Sequence, residues 1–330
     1  MKLLVTGGCG FIGSAFVHLA LGRGAAVVNL DKLTYAGNPA NVADVADEPG
    51  YAFVHADVAD PDAVADAMQG VDAVVNFAAE SHVDRSILDP SDFTRTDVVG
   101  TAVLLAAARA AGVPRFVQVS TDEVYGSIAE GAFRETDPIS PSSPYSASKA
   151  GGDLQVLAWH RTFGMDALIT RGSNTYGPRQ YPEKLIPLFV TNALDGEPLP
   201  VYGDGLQVRD WLHVDDHCEG IWAVLERGSG GEVYNVGGGH EETNIEITRR
   251  ILELTGRDDT LVRHVTDRPG HDRRYALDTA KARALGWEPR RAFGDGLAET
   301  VAWYRDNRSW WEPIKSGEYR AYYESQYGSR

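Results

Sequence analysis

A chain of 330 residues with 31 Lys and Arg against 47 Asp and Glu has a formal net charge of -16, which argues against nucleic acid or an anionic membrane surface as its main partner. At 43% hydrophobic and 24% charged residues it is globular, with room for one large domain and a smaller appendage. Cys9 and Cys218, its two cysteines, lack zinc-like spacing and point to a reducing compartment without disulfides; the apolar start MKLLV stops at Gly7, too early for a secretory signal, and VLLAAARAAGV is broken by Arg109, so the expected location is the cytoplasm.

From the N-terminus, short apolar runs alternate with helical patterns. Strands are predicted over residues 2–6, 26–30, 52–56, 72–77, 115–120 and 166–170, each continuous rather than alternating and so expected to be covered on both faces. Helices are predicted over 11–21, 62–68, 91–111 and 146–162. Such alternation implies βαβ units and an α/β fold, a Rossmann-type doubly wound parallel sheet. After about Arg171 the pattern loosens into Gly- and Pro-rich stretches such as GEPLPVYGDG, where a smaller C-terminal α/β substrate-binding domain is expected. Residues 1–171, with a return segment over 209–240, are assigned to the first domain, and 172–208 with 241–330 to the second.

The first turn, VTGGCGFIG, carries two glycine patterns. Gly8, Gly10 and Gly13 form G-x-G-x-x-G; Gly7, Gly10 and Gly13 form G-x-x-G-x-x-G. Following a strand and opening a helix, either lets backbone approach a pyrophosphate at a helix N-terminus. Asp31, at the end of the second strand, can accept both ribose hydroxyls and favours NAD over NADP, an inference the adjacent Lys32 weakens. Asp57 ends the third strand, either near an adenine edge or as a solvated turn residue.

Tyr145 and Lys149 form Y-x-x-x-K at the start of a predicted helix, where positions i and i+4 share a face and an ammonium can lower the phenol pKa. Just beyond the fifth strand, at the carboxyl end where ligands bind, stand Thr121, Asp122 and Glu123. Two adjacent carboxyls there exceed what hydride transfer needs and suit a split into acid and base.

On the glycine turn and Y-x-x-x-K the chain resembles the extended short-chain dehydrogenase/reductases, which selects the Gly7 register and leaves Gly8 as a turn residue with an incidental match. On "TDEVYG" (121–126), "AAESHVDRS" (78–86), "PEKLIPLF" (182–189), "GHDRRY" (270–275) and the tail "WWEPIKSGEYRAYY" it is similar to the dTDP-glucose 4,6-dehydratases within them. The resemblance implies an NAD-dependent hydro-lyase that oxidises C4, eliminates water across C5 and C6 and returns the hydride to C6. Tyr145 would take the C4 hydroxyl proton, Lys149 would hold the nicotinamide ribose and lower the Tyr145 pKa, and Thr121 would hydrogen-bond the C4 oxygen. Glu123 would remove the C5 proton, and Asp122 would protonate the departing C6 hydroxyl. NAD, regenerated each turnover, is expected to stay tightly bound.

The same resemblance implies cofactor contacts from Gly7, Gly10, Phe11, Ile12 and Gly13 in the first turn and from Asp31, Lys32, Leu33 and Thr34 after the second strand. Asp57 and Val58 follow the third strand and Phe77, Ala78, Ala79 and Ser81 the fourth; Thr96, Tyr145 and Lys149 complete the set. The partner is dTDP-glucose or a related nucleotide sugar. Substrate contacts are implied for Ser81, His82, Thr121, Asp122, Glu123 and Asn174, for Glu183, Lys184 and Leu185, for Pro200 and Tyr202 near the base, and for Arg209, Asn244, Arg273 and Tyr275. Arg209 and Arg273 suit phosphate oxygens because a guanidinium presents several fixed donors.

Gly172, Thr175, Arg179 and Gln180 depart from the family's usual run. The Trp310–Trp311 pair reads as core or tail packing, and the helix over 91–111 as a sheet cover that by analogy also builds a homodimer. No metal is expected. Alternatives are a dehydratase or 4-epimerase of another nucleotide sugar, and a non-catalytic NAD-binding regulatory relative.

Overall fold

The computed structural model describes residues 1–316 together with Tyr319, Tyr323 and Tyr327. The rest of 317–330, and with it part of the assigned second domain and of the "WWEPIKSGEYRAYY" match, lies outside the described residues.

The elements run β1 (Lys2–Thr6), α1 (Phe11–Gly22), β2 (Ala26–Asp31), β3 (Tyr51–His55), α2 (Pro61–Ala67), β4 (Ala73–Asn76), α3 (Val83–Leu88) and α4 (Ser91–Thr94). A π-helical stretch over Arg95–Gly100 leads into α5 (Thr101–Ala111), β5 (Arg115–Thr121), α6 (Pro144–Phe163) and β6 (Ala167–Gly172). Then follow β7 (Asn174–Tyr176), α7 (Leu185–Asp195), β8 (Leu199–Tyr202), β9 (Val208–His213), α8 (Val214–Arg227) and β10 (Val233–Val236). The chain continues with β11 (Glu241–Thr243), α9 (Asn244–Thr255), β12 (Val262–Val265), α10 (Ala280–Ala284), α11 (Phe293–Asp306) and α12 (Arg308–Lys315).

Among the described residues, seven parallel strands form the main sheet in the order β10-β6-β5-β4-β1-β2-β3. Successive side chains of a strand point to opposite faces, so β1 feeds two cores. Leu3 and Val5 pack with Phe16 of α1 and Ile221 of α8, whereas Leu4, between them, packs with Leu104 and Leu105 of α5 and Val156 of α6. Both layers are apolar, which is why these strands read as continuous hydrophobic runs.

β3 departs from that expectation. It is one of the sheet's two outer strands, and Ala52, Phe53 and His55 are exposed, Phe53 at 43%. The predicted helix over 91–111 is three pieces: a π-helical insertion over Arg95–Gly100 separates α4 from α5, and Val58 packs against Gly100 there, where a Cβ would lie 2.6 Å from its methyl group. Residues 83–88, where the sequence pattern marked no helix, form α3, which packs on α6.

Beyond β6 the chain builds a second core. Ile186, Phe189 and Val190 of α7, Ile247 and Ile251 of α9, and Leu297 and Val301 of α11 surround Tyr176 and Trp211. Trp311 is buried in this core and donates to the Tyr304 carbonyl at 2.7 Å. The return to the large sheet is made by β10, which pairs with β6, while β9 stays with β7 and β11 in a small sheet. A two-stranded parallel pair, β8 with β12, completes the second lobe. The cleft between the lobes opens at the carboxyl ends of β1, β2, β4, β5 and β6, the place where open α/β sheets bind ligands.

Candidate active site

The glycine turn is set by steric contact. Gly7 has φ +69, and a Cβ on Gly13 would lie 2.1 Å from the Gly7 carbonyl oxygen, so the helix start closes on the turn only without a side chain. Gly8 is not incidental to this geometry. A Cβ there would lie 2.3 Å from Oδ1 of Asn29, whose amide donates to the Tyr51 hydroxyl at 2.9 Å. Both glycine patterns therefore answer to packing in this chain.

Asp31 ties the turn to the second strand. Its Oδ2 accepts from the Cys9 N–H at 2.8 Å and its Oδ1 from the Leu33 N–H at 2.8 Å. Burial pushes its carboxyl upward against these bonds. Lys32 and Arg95 meet Asp57 at 3.0 and 3.5 Å; against the upward push of burial, the Ala59 N–H and these two cations hold the Asp57 carboxyl below its usual range.

Every residue assigned to the cofactor lines this cleft except Leu33, which takes a left-handed backbone (φ 54) and meets Asp31 through its N–H. A glycine cradle that a Cβ would fill, a helix N-terminus behind it and a carboxylate at the next strand end fit a dinucleotide. Gly7, Gly10 and Gly13 would hold the pyrophosphate, Asp31 the adenosine ribose, and Tyr145 and Lys149 the nicotinamide ribose.

The candidate catalytic residues meet where this cleft joins a second pocket. Thr121 ends β5; its hydroxyl accepts from the Glu123 N–H at 3.2 Å and donates to Asp122 Oδ1 at 3.2 Å. A 3₁₀ turn over Asp122–Tyr125 then carries both carboxyls. Asp122 is 2% exposed and its Oδ2 has no partner among the described residues. Burial, with Glu123 and Asp210 nearby, pushes its carboxyl well above the usual range, which favours the protonated form. Glu123 lines both pockets.

Tyr145 enters from the first turn of α6, fixed by a capping box between Ser143 and Ser146 and by its N–H donating to Ser86 Oγ at 3.1 Å. The Lys149 ammonium donates to the Val119 carbonyl at 2.9 Å, and the Tyr145 phenol is pushed well up, by burial first and then by Glu123, Asp97 and Asp122.

The second pocket is lined by His82, Glu123, Asn174, Glu183, Lys184 and Leu185, by Pro200, Tyr202, Arg209 and Asn244, and by Tyr275. Ser81, Thr121 and Asp122 face the cofactor cleft instead. Arg273 reaches neither cleft: its guanidinium is paired with Asp204 at 2.8 Å, and both side chains are more than half exposed. The arginine that stands beside Arg209 is Arg268, whose NH1 donates to Asp84 at 3.1 Å while its buried Nε has no partner among the described residues. Sequence reasoning missed it although it opens the same RPGHDRRY stretch. It also missed His217, whose Nδ1 lies 2.8 Å from Thr175 Oγ1 and whose ring fills the space left by Gly172, where a Cβ would lie 2.5 Å from it. Two departures from the family run are thus joined by one buried imidazole, which burial pushes down to about 4 and keeps neutral. Among the described residues no His, Cys, Asp and Glu cluster is arranged to hold a metal ion, and no helix is long and apolar enough to cross a membrane.

A family model described as GDP-mannose 4,6 dehydratase matches residues 4–300. The chain belongs to this family. The dTDP-glucose 4,6-dehydratase of Streptomyces niveus is 58% identical over 323 residues, 96% of each chain, and dTDP-glucose 4,6-dehydratase 1 of Escherichia coli is 47% identical with full coverage of both. The solved structure of DesIV, a dTDP-glucose 4,6-dehydratase from Streptomyces venezuelae with NAD bound, is 58% identical and superposes with a TM-score of 0.94, covering 96% of this chain and 100% of that one. A UDP-glucose 4-epimerase of Thermus thermophilus, also in complex with NAD, shares 34% identity at a TM-score of 0.87, covering 93% of this chain and 100% of that one. The chain is thus similar in fold to a dehydratase and to an epimerase.

Proposed function

We propose that the chain is an NAD-dependent hydro-lyase, a dTDP-glucose 4,6-dehydratase that yields dTDP-4-keto-6-deoxyglucose and water. The carrying observation is the pair after β5: Asp122 buried with its carboxyl pushed up, Glu123 at the junction of both pockets, and Thr121 and Tyr145 beside them. Epimerisation at C4 needs no acid for a C6 hydroxyl and no base for a C5 proton; dehydration needs both, from groups held in different environments.

NAD, when bound, supplies the oxidation at C4 and the later reduction at C6. Thr121 and Tyr145 hold the C4 oxygen, and Tyr145 takes its proton. Because burial first, and nearby carboxylates after it, raise the phenol, positive charge in the cleft decides when it can act as a base, and Lys149 and Lys184, the latter 6.0 Å from the ring centre, supply it. A C4 ketone acidifies C5–H, which Glu123 removes. Asp122 donates its proton to the departing C6 hydroxyl, so the elimination releases water rather than hydroxide. Arg209, Arg268 and Lys184 present the focal positive charge that a diphosphate needs within an acidic protein.

The test is incubation of the purified protein with dTDP-glucose and no added NAD, with the product weighed by mass spectrometry. Loss of one water supports the proposal; unchanged mass, or dTDP-galactose, overturns it. We further propose that the protein is cytoplasmic and a homodimer joined across α6 and the π-helical lead into α5, where Leu154 and Val99 are exposed; a monomer in sedimentation would contradict the second point.

A further inference from the structure

We infer that Tyr35, Arg85 and Tyr181 form a clasp that keeps NAD seated through successive turnovers and tightens when the sugar-nucleotide pocket is filled. The inference rests on the reading above, in which the cofactor ends each cycle in its starting oxidation state and has no chemical reason to leave.

The segment after β2, through Thr34, Ala36 and Gly37, forms one wall of the cofactor cleft; Gln180, Tyr181 and Lys184 of the second lobe form the wall opposite. The two walls touch. The Tyr35 ring meets the Tyr181 ring edge-on at 5.3 Å, and the Arg85 guanidinium lies 3.8 Å above the centre of the Tyr35 ring. Arg85 Nε donates at 2.8 Å to the Glu183 carboxylate, which is 1% exposed, so the guanidinium is held flat on the ring by a buried anion. Farther along the same segment, Asn41 accepts from the Trp310 indole at 2.9 Å and Asp44 faces Arg179 at 3.6 Å. A dinucleotide lying between the glycine turn and Asp31 leaves by parting these contacts.

The clasp is wired to the substrate pocket. Arg85 belongs to α3, which continues the loop after β4; Glu80 and Ser81 of that loop face the cofactor cleft, and His82 with Val83 and Asp84 of α3 face the sugar-nucleotide pocket. His82 Nε2 donates to the Glu183 carbonyl at 3.3 Å, Arg268 holds Asp84, and Lys184, which lines both pockets, donates to the Ser81 carbonyl. A diphosphate gripped by Arg268 and Lys184 restrains the two segments that carry Arg85 and Glu183. Coupling of this kind is reciprocal: a ligand that slows release of the cofactor is itself bound more tightly while the cofactor is present.

The experiment loads the holoenzyme with isotopically labelled NAD, chases with excess unlabelled NAD and follows loss of label by rapid gel filtration, with and without dTDP. Wild type is expected to retain label, and longer with dTDP. Tyr35→Leu is expected to lose it about tenfold faster, the scale of one cation–π contact, and to respond less to dTDP. Tyr35→Phe, which keeps the ring, should behave as wild type. Arg85→Lys, which keeps charge and loses the planar stack, should resemble Tyr35→Leu and serves if that variant fails to fold. Wild-type rates in both Tyr35→Leu and Arg85→Lys, or equally fast loss in Tyr35→Phe, overturn the clasp; no effect of dTDP on wild type overturns the coupling. A wild type that holds no label overturns the cofactor reading itself, whereas a failed product assay with label retained removes only the dehydration.

Discussion

Arg268 and Arg273 lie in one loop, and the structure separates their surroundings. Arg268 is 15% exposed, its guanidinium meets the buried Asp84 at 3.1 Å, and it lines the sugar-nucleotide pocket with a buried Nε unpartnered among the described residues. Arg273 faces Asp204 on the surface. Arg268→Lys keeps a positive charge opposite Asp84 and deletes the fork. A hydrogen bond to a charged group contributes about 1.5–3 kcal/mol, so its loss should raise KM for dTDP-glucose about 10- to 150-fold with kcat little changed. Lysine is the sharper choice because Arg268→Ala would leave Asp84 buried and unpaired, costing about 3–5 kcal/mol of stability and confusing the result. Arg273→Lys should leave KM at the wild-type value, since an exposed ion pair holds no phosphate. Steady-state kinetics and calorimetric titration with dTDP give both numbers. If Arg273→Lys raised KM and Arg268→Lys did not, the placement of the diphosphate in this pocket would be refuted.

Glu123→Gln should still oxidise C4 but stop before elimination; solvent deuterium should then fail to enter C5, and uptake at the wild-type rate would assign the base elsewhere. Gly13→Ala places a Cβ 2.1 Å from the Gly7 carbonyl, so copurified NAD, read from absorbance after denaturation, should fall at least tenfold, by about 1.4 kcal/mol of lost binding; full retention would mean the turn relaxes freely. Burial, then Asp97 and Asp92, push the Glu80 carboxyl up to about 7. A folded pKa above the unfolded one gives stability that is present below about pH 4 and lost as pH rises to about 7. Glu80→Gln should therefore match wild type at pH 4 and exceed it by up to about 3 kcal/mol at pH 8 in urea unfolding, and equal curves at both pH values would show Glu80 to be solvated.

The parts legible from the chain alone are those where a residue type is demanded at a local spacing. Strands such as β1, covered on both faces, announce themselves by uninterrupted apolar runs, and Tyr145 with Lys149 by one helical turn. β3 shares that apolar look, yet it borders the sheet with three of its five residues exposed, whereas β10 at the opposite border is buried throughout, so exposure depends on what packs over each border rather than on the strand's own residues. α3 is short and owes its helix to contact with α6, so no periodicity marks it. Strands as short as β7 and β11 fall below the length at which alternation can be counted. In the site, the choice between Arg268 and Arg273 turns on which way an irregular loop aims each side chain. The Thr175–His217 contact joins residues 42 positions apart across two elements, a pairing that only the folded chain brings together.

The return of β10 to β6 has a consequence for how the molecule comes to exist. The last strand of the nucleotide-binding sheet is residues 233–236, made only after β7, α7, β8, β9 and α8 have been synthesised. Until then β6, whose six residues are all buried in the finished protein, presents a bare row of amide and carbonyl groups on one side, the kind of edge that pairs with other chains. A ribosome therefore cannot release a finished first lobe and add the second as a module. A fragment ending near Arg171 should aggregate rather than fold, and a gene fusion that splits the lobes there would separate a sheet from its own border.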